Sequence, residues 1–296
     1  MFFTLGTGGI RSPTVTDYYG RSASKNQLQQ SPHPRVRLAR VIRCRYREGV
    51  PEETETAEPV FRSDMTVELV RANASDADVL FAARVSTQGE KTLDAAQDET
   101  TDATRSKGLI NYLMRDRHGS PFEHNSMTFY VQAPIFVFRE FMRHRMNSYN
   151  EESGRYRQLN GVFYAPAPER NLVQVGKAGA YDFLPGTPEQ TEIVAAEVRA
   201  VSTEAFASYQ RMLDAGVARE VARIILPLNI YSSMYVTMNA RSLMAFLSLR
   251  TTREGSHFPS FPQREIEMVA EQMEEHFATL MPITYESFNL NGRVSP

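Results

Sequence analysis

Regular spacing of apolar side chains predicts most elements of this chain beyond residue 64. Residues 65–70 and 126–132 alternate apolar and polar side chains, and residues 231–238 are rich in aromatic and β-branched ones, so each stretch predicts a strand. A shorter strand is expected at residues 162–165. The side chains expected on one face of the second stretch are Met127, Phe129 and Val131.

Apolar residues at helical spacing predict the helices. Ser75 and Asn239 are expected N-caps, because their side-chain oxygens can accept a hydrogen bond from a free amide of the first turn. Gly119, Gly216 and Pro227 are expected to end helices. The helices are expected at about 76–86, before 119, and at 134–145, 188–215, 217–226, 239–250 and 263–281. Their expected buried faces include Leu109, Ile110, Tyr112, Leu113, Phe138, Phe141, Met142, Ile266, Val269, Met273, Phe277 and Leu280.

The first 63 residues carry no comparable pattern. They are rich in Ser, Gln, Pro and Arg, so we expect a disordered extension at 1–63 and a folded domain at 64–296. Arginines between residues 35 and 47 form a basic stripe that could touch nucleic acid, but a solvated tail is the favoured interpretation. Met65, where the pattern starts, is a candidate start of translation. The later stretches expected to be connecting segments are 90–102, 166–188 and 251–262.

The composition is that of a soluble globular protein, with 296 residues of which 42% are hydrophobic and 23% charged. The net charge of −2 argues against a general nucleic-acid binder, because the chain as a whole carries no excess of positive charge that would attract a polyanion. No apolar run approaches the roughly 20 residues of a membrane span. The single cysteine, Cys44, excludes an intrachain disulfide framework, so a cytoplasmic location is expected.

The densest group of functional side chains lies between residues 139 and 156, directly after an apolar run. The triplet Arg143-His144-Arg145 carries two guanidinium groups, whose geometry suits a phosphate or a carboxylate. Glu151 and Glu152 could accept hydrogen bonds from ribose hydroxyls or from a ring N–H. The alternative interpretation is a solvated charged loop with internal ion pairs, which is the commoner case for an arbitrary run of charges.

The triplet and its surroundings resemble the flavin-dependent thymidylate synthase family. The triplet is followed after seven residues by Ser153, and this arrangement is similar to the signature of that family. Other stretches that resemble the family occur in its order, and the resemblance covers roughly residues 65 to 288. These stretches are 81–86, 121–124, 133–136, 219–229 and 239–244.

The resemblance implies an α/β fold, with a mixed sheet and helical layers, assembled as a homotetramer whose sites lie at subunit junctions. It implies an enzyme that converts deoxyuridylate (dUMP) to thymidylate (dTMP). The carbon would come from methylenetetrahydrofolate, and FAD reduced by NADPH would carry the hydride chemistry while the protein supplies orientation and charge. Cys44 lies outside every matching stretch, so it is not an expected nucleophile.

The resemblance also implies roles for individual residues. Arg250 is expected to face the uracil and stabilise its form deprotonated at N3, with Ser153 and His144 as further catalytic residues. Arg155 and Arg223 are expected to hold the phosphate. The expected substrate contacts are Glu140, Arg143, Glu151, Glu152, Ser153, Gly154, Arg155, Arg223 and Arg250. The expected flavin contacts are His118, Ser120, Arg143, His144, Arg145, Glu151, Asn239 and Arg241.

Two features depart from the family pattern. Ala245 stands where the family often carries Asn or His toward the flavin, and alanine cannot make that hydrogen bond. The loop 251–262 is longer than usual, which leaves open the position of His257, otherwise a flavin candidate.

Two further interpretations of the sequence are weaker. The spacing of His118, Ser120, Glu123 and His124 could suit a metal, but structural metal sites usually bring cysteine, so no metal is expected. The alternative function is a non-catalytic nucleotide- or RNA-binding protein that uses the arginine-rich loop and the N-terminal arginines. Bound FAD would separate the two functions.

Overall fold

The computed structural model describes residues 58–88, 103–177 and 179–296. Its strands are β1 (Val60–Arg62), β2 (Thr66–Asn73), β3 (Ser126–Pro134), β4 (Ser148–Glu151), β5 (Val162–Tyr164), β6 (Val173–Lys177), β7 (Ala180–Leu184) and β8 (Tyr231–Met238). Its α-helices are α1 (Asp76–Gln88), α2 (Ala103–Arg115), α3 (Ile135–Phe141), α4 (Pro188–Asp214), α5 (Arg219–Ala222), α6 (Ala240–Arg250), α7 (Arg264–Leu280) and α8 (Pro282–Leu290). Short 3-10 turns lie at Ser120–Glu123 and Arg223–Ile225.

The central sheet is antiparallel and has the strand order β2-β3-β8-β4. β3 pairs with β8 from Met127 to Pro134, with Phe129 opposite Val236. The alternation predicted for β3 is confirmed, because Met127, Phe129 and Val131 are fully buried while the residues between them point to the other face. One face of the sheet is therefore apolar and needs a cover of helices.

Helices α3, α6 and α7 contribute the apolar side chains that cover this face. Phe141 of α3 and Phe246 of α6 stack with ring centroids 4.4 Å apart, so the two helices are packed tightly together. The stripe predicted on residues 263–281 is largely confirmed: the fully buried members are Ile266, Val269, Met273 and Phe277. All of these residues belong to one core cluster with the sheet.

Strand β1 falls inside the segment predicted to be a disordered extension. It pairs in parallel with β5, with Phe61 opposite Phe163, and Arg62 donates to the side-chain oxygen of Gln132 at 2.6 Å. Ordered structure therefore includes residues 60–63, and the predicted boundary between residues 63 and 64 lies at least four residues too late. A strand of three residues is too short to show a periodic pattern.

Other differences from the sequence prediction also involve short segments. The connector 166–188 contains the hairpin β6–β7, residues 282–290 form α8, and the helix expected at 217–226 is reduced to α5 and a 3-10 turn. Met142 and Tyr112, expected to be buried, are 40% and 46% exposed. Met142 lies beyond the end of α3, and Tyr112 stacks on the exposed ring of His118 with centroids 5.5 Å apart.

Some predictions concern residues outside the described ranges. They are those on Cys44, on the arginine stripe at 35–47, on the remainder of residues 1–57 and on the link at 90–102. Among the helices of the described ranges, none combines the length and the apolar character needed to cross a membrane.

Candidate active site

The signature triplet lies in a turn between α3 and β4. α3 ends at Phe141, so the triplet follows the helix and does not form its last turn, contrary to the prediction. Tyr149 braces the turn, since its hydroxyl lies 2.7 Å from the His144 carbonyl oxygen and 3.0 Å from that of Phe141. The Asn147 amide donates to the same His144 carbonyl at 3.1 Å. The backbone around His144 is thereby fixed.

The polar residues 148–151, predicted as a loop, form the edge strand β4. They pair with β8, with Glu151 opposite Met234, and the Glu152 amide donates to the Ser233 carbonyl at 2.8 Å. Four polar residues show no apolar alternation, so pairing with a neighbouring strand decides their conformation. This pairing sets the register in which the two glutamates are presented.

Arg250, at the end of α6, is bound to the end of α3. Its Nη1 donates to the Glu140 carboxylate at 2.6 Å, and its Nη2 donates to the Glu140 carbonyl at 3.2 Å. Its Nε donates to Nε2 of His144 at 3.0 Å. Only 16% of the Arg250 side chain is exposed, compared with 40% for Glu140. The structure therefore brings three expected site residues into direct contact.

His144 is neutral in this cluster. Burial and the adjacent Arg250 guanidinium lower its pKa to about 4, and the Glu140 carboxylate only partly offsets them. The His144 ring also meets the Phe246 ring edge to face, with centroids 4.9 Å apart. Because Nε2 accepts from Arg250, the proton of the neutral ring belongs on Nδ1. A neutral acceptor orients Arg250 without cancelling its charge.

A second group of expected residues surrounds the end of β4. Glu152 accepts from the Ser233 hydroxyl at 3.2 Å and pairs with Arg157 at 3.0 Å. Burial raises the pKa of Glu151, while a hydrogen bond to Ser232 and the positive charge of Arg223 act in the opposite direction. Arg223 is therefore close enough to Glu151 for its positive charge to act on the pKa of that carboxyl group.

Gly154 and Arg155 complete this second group. A Cβ atom on Gly154 would lie 3.0 Å from Leu159 and 3.2 Å from Cδ of Arg223, so the missing side chain allows Arg223 to approach closely. Arg155 pairs with Glu220 at 2.9 Å, and both side chains are 54% exposed. An exposed pair of this kind is weak and can exchange its carboxylate for another anion.

A third group joins the 3-10 turn Ser120–Glu123 to the start of α6. The predicted cap is confirmed, because the Asn239 side-chain oxygen accepts from the Ser242 amide at 2.9 Å. Arg241 pairs with Glu123 and donates from Nε to the Pro296 carbonyl at 2.6 Å. Asn239 and Arg241 are thus held at the same helix end.

The signature turn reaches this third group. The Ser242 hydroxyl donates to the carbonyl of Met146 at 3.1 Å, which links α6 to the turn that carries the triplet. Within the described part of the chain, Arg143 and Arg145 form no ion pair with a carboxylate. The expected flavin residues left exposed around the junction are His118, Ser120, Arg143 and Arg145.

Two acidic partners in the site could not be recognised from sequence. Glu220 lies 65 residues from Arg155, and Glu123 lies 118 residues from Arg241. Residues so far apart in the chain form no local motif, so the sequence does not show that they are partners. In the described ranges, no three His, Cys, Asp or Glu side chains are grouped so that they could hold a metal ion, and Glu123 is engaged by Arg241.

The two departures from the family pattern have defined positions. Ala245 is half-buried near the middle of α6. The loop 251–262 contains neither helix nor strand, as predicted. His257, in this loop, donates from its backbone amide to the Gly292 carbonyl at 2.8 Å, and its ring contacts Phe258 with centroids 4.5 Å apart. His257 therefore packs beside the C-terminal residues.

A cavity of about 1040 Å³ lies elsewhere in the fold. It is lined by residues of the β6–β7 hairpin, of the segment 252–262 and of the start of α7. None of the expected site residues lines it. The three residue groups described above, and not this cavity, therefore form the candidate active site.

Comparison with known proteins identifies the family. Residues 68–283 match the family model described as thymidylate synthase complementing protein. A flavin-dependent thymidylate synthase of Streptomyces coelicolor (strain ATCC BAA-471 / A3(2) / M145) is 66% identical over 236 residues, which cover 79% of this chain and 95% of that protein. The chain belongs to the flavin-dependent thymidylate synthase family. The predicted family and the predicted class of enzyme are confirmed.

Further relatives agree with this family membership. A flavin-dependent thymidylate synthase of Tropheryma whipplei (strain TW08/27) is 58% identical over 239 residues, which cover 81% of this chain and 98% of that protein. The crystal structure of a UMP/dUMP methylase PolB from Streptomyces cacaoi bound with 5-Br dUMP has a TM-score of 0.75 and 55% identity, and the match covers 80% of this chain and 100% of that chain. The predicted α/β fold of this family is confirmed.

Proposed function

We propose that this enzyme converts dUMP to dTMP by reductive methylation, with methylenetetrahydrofolate as the carbon donor and with FAD reduced by NADPH. The contact among Arg250, His144 and Glu140 carries the proposal, because it joins the cation expected at the uracil to the signature triplet. A similar methylase solved with a brominated dUMP supports the choice of substrate.

Arg250 is the group that activates the uracil. Methylation needs electron density at C5, and a cation beside the ring stabilises the form deprotonated at N3, whose charge spreads to C5. The neutral ring of His144 and the backbone carbonyl of Glu140 hold the guanidinium in place before substrate arrives. A positive charge held beside the ring in this way stabilises the activated form.

Arg155 and Arg223 bind the phosphate of the nucleotide. The two arginines come from different parts of the chain and converge near the end of β4, where Gly154 removes the side chain that would keep Arg223 away. Ser153 lies at the same turn, and its hydroxyl accepts from the Arg155 amide at 3.3 Å. Glu151 and Glu152 are available to accept from the ribose or from the base.

The residues of the signature turn and of the third group fit FAD. Arg143 and Arg145 are exposed, and within the described ranges no carboxylate neutralises them, so their guanidinium groups are free for a diphosphate. Asn239 and Arg241 lie at the start of α6, which the Ser242 hydroxyl links to the turn that carries the triplet. Bound FAD would supply the hydride chemistry. The protein side chains would hold the cofactor and orient it toward the nucleotide.

The proposed assembly is a homotetramer in a cytoplasmic setting. Exposed apolar side chains gather on α4 and around the second phosphate-binding arginine: Val201, Val221, Ile224, Ile225 and Leu228. Exposed large apolar side chains in such numbers are typical of protein–protein contact. Burial against a second copy would bring another chain next to the proposed phosphate site.

A visible absorbance spectrum of the purified full chain tests the proposal. We expect a bound flavin that is bleached by NADPH under anaerobic conditions. We then expect dTMP to form when dUMP and methylenetetrahydrofolate are added. A protein that takes up no FAD, yet binds nucleotide or RNA, would support the non-catalytic alternative instead.

A further inference from the structure

The C-terminal segment, residues 293–296, contacts both ends of α6. At one end, the Arg293 guanidinium donates to the Thr251 hydroxyl at 2.8 Å, directly after Arg250. At the other end, the Pro296 carbonyl accepts from Arg241 Nε at 2.6 Å, and the Ser295 hydroxyl donates to the Arg241 carbonyl at 2.9 Å. The segment therefore ties together the helix ends that carry two expected site arginines.

A third arginine holds the middle of this segment. Arg117 donates from Nη1 to the carbonyl of Val294 at 2.6 Å. Arg117 immediately precedes His118, an expected flavin residue, in the turn that follows α2. The C-terminal segment is thus bound both to α6 and to the turn that follows α2.

Backbone strain occurs at the residues that hold the segment. In the described ranges, the non-glycine residues with positive φ are Arg117 at 62° and Arg293 at 56°. The left-handed region is sterically unfavourable for a residue that carries a Cβ atom. Arg117 takes this conformation at the end of α2, where the His118 amide donates to the Leu113 carbonyl at 2.9 Å and glycine would be the usual residue. Such strain persists where surrounding contacts enforce it.

Close packing around Arg241 shows what these contacts hold. A Cβ atom on Gly119 would lie 2.6 Å from Cζ of Arg241 and 2.9 Å from the Pro296 oxygen. The Arg241 guanidinium therefore contacts the Gly119 backbone, the C-terminal segment and the paired carboxylate of Glu123, while 45% of the Arg241 side chain stays exposed. The segment is one of three groups that hold this side chain on its inner side.

We propose that residues 293–296 are a positioning element of the flavin site, which holds Arg241 in the orientation that binds the cofactor. Arg117 acts through this segment and is a positioning residue that does not itself need to touch FAD. This inference rests on the proposed function, because it takes Arg241 as an FAD contact. A tail with a purely structural role would affect folding stability but not the affinity for FAD.

The substitution Arg117→Gly separates these two roles. Glycine suits the left-handed backbone, so the melting temperature of the flavin-free protein should stay the same or rise. Loss of the bond to Val294 should raise the dissociation constant for FAD about tenfold, measured by fluorescence titration of the flavin-free full chain. Arg117→Lys, which can still donate to the carbonyl, should restore most of the affinity.

Two further variants complete the experiment. A chain that stops after Arg293 keeps the ion pair of Arg293 with Glu274 and should lose FAD affinity at least as strongly as Arg117→Gly. Lys107→Ala, a substitution on α2 that removes an exposed pair with Glu286, should bind FAD like the wild type. Wild-type affinity in both Arg117→Gly and the shortened chain would overturn the inference. A wild-type chain that takes up no FAD at all would overturn the proposed function as well.

Discussion

Arg250 and Glu140 form an ion pair of 2.6 Å between the ends of α6 and α3. The guanidinium proposed to face the uracil therefore already has a carboxylate partner on the protein. It also donates to the Glu140 carbonyl and to His144, so three of its N–H groups are used. If the proposed role is correct, an activated, anionic uracil would have to share or displace the Glu140 carboxylate when it binds.

The substitution Arg250→Lys should abolish most of the activity while keeping the fold and the bound FAD. A lysine ammonium also has three donors, but it cannot reproduce the planar fork that reaches Glu140 and His144 together. We expect a loss in dTMP formation of about a hundredfold or more, which corresponds to about 3 kcal/mol of barrier. NADPH should still reduce the flavin. Arg253→Lys is the matched control, because Arg253 pairs with Glu274 and should tolerate the change. Near-normal turnover in Arg250→Lys would leave Arg250 as a helix-end charge.

The low pKa of His144 predicts acid sensitivity. The folded state resists protonation down to pH of about 4, whereas the unfolded chain binds a proton near the ordinary value of 6.5. The unfolded state then carries more protons between these values, so the stability contributed by neutral His144 is lost as the pH falls from 6.5 toward 4.

Denaturant unfolding of the wild type and of His144→Gln measures this contribution. On going from pH 7 to pH 4.5, the wild type should lose about 1 to 2 kcal/mol more free energy of unfolding than the variant does. This range is reduced from the full effect of the pKa shift, because solvent screens a half-buried ring. The other histidines are present in both proteins, so their contributions to the pH dependence cancel in this comparison. A difference independent of pH would show that His144 titrates normally.

The position of β1 predicts where the N-terminus can be shortened. A chain that begins at Glu58 should keep dUMP-dependent NADPH oxidation and full stability. A chain that begins at Met65 lacks β1 and the bond from Arg62 to Gln132, so it should lose about 2 kcal/mol of stability while retaining activity at low temperature. Equal melting temperatures for the two chains would show that β1 contributes nothing.

Ala245 offers a position to strengthen cofactor binding. Ala245→Asn should bind FAD as well as or better than the wild type, because a neutral hydrogen bond contributes about 1 kcal/mol when its geometry is good. Ala245→Leu, similar in size to Asn but unable to hydrogen-bond, is the control and should not improve binding. Faster FAD release on dilution from the Asn variant than from the Leu variant would contradict the expected flavin contact.

The sequence predicts those parts of the fold in which a period is repeated. The strand β3 and the helix α7 each bury a regular set of side chains, and both appear where the pattern places them. The polar strand β4 and the short strand β1 have no internal period. Their conformation comes from pairing with β8 and β5, and a linear pattern does not contain that information.

The site is only partly visible in the sequence for the same reason. The triplet and Ser153 are separated by only seven residues, so their grouping can be recognised from spacing. The contact of Arg250 with His144 joins residues 106 positions apart, and that of Arg241 with Pro296 joins residues 55 apart. Such contacts arise from the packing of α3 and the C-terminal residues against α6.

Helix α6 also fixes the distance between two positive charges. Arg241 and Arg250 are nine steps apart on one unbroken helix, which separates their backbones by about 14 Å and fixes their relative angle. One inserted residue would turn Arg250 by about 100° relative to Arg241 and break its alignment with His144. Insertions and deletions in this family should therefore be tolerated in the loop 251–262, which follows the helix, and not within α6.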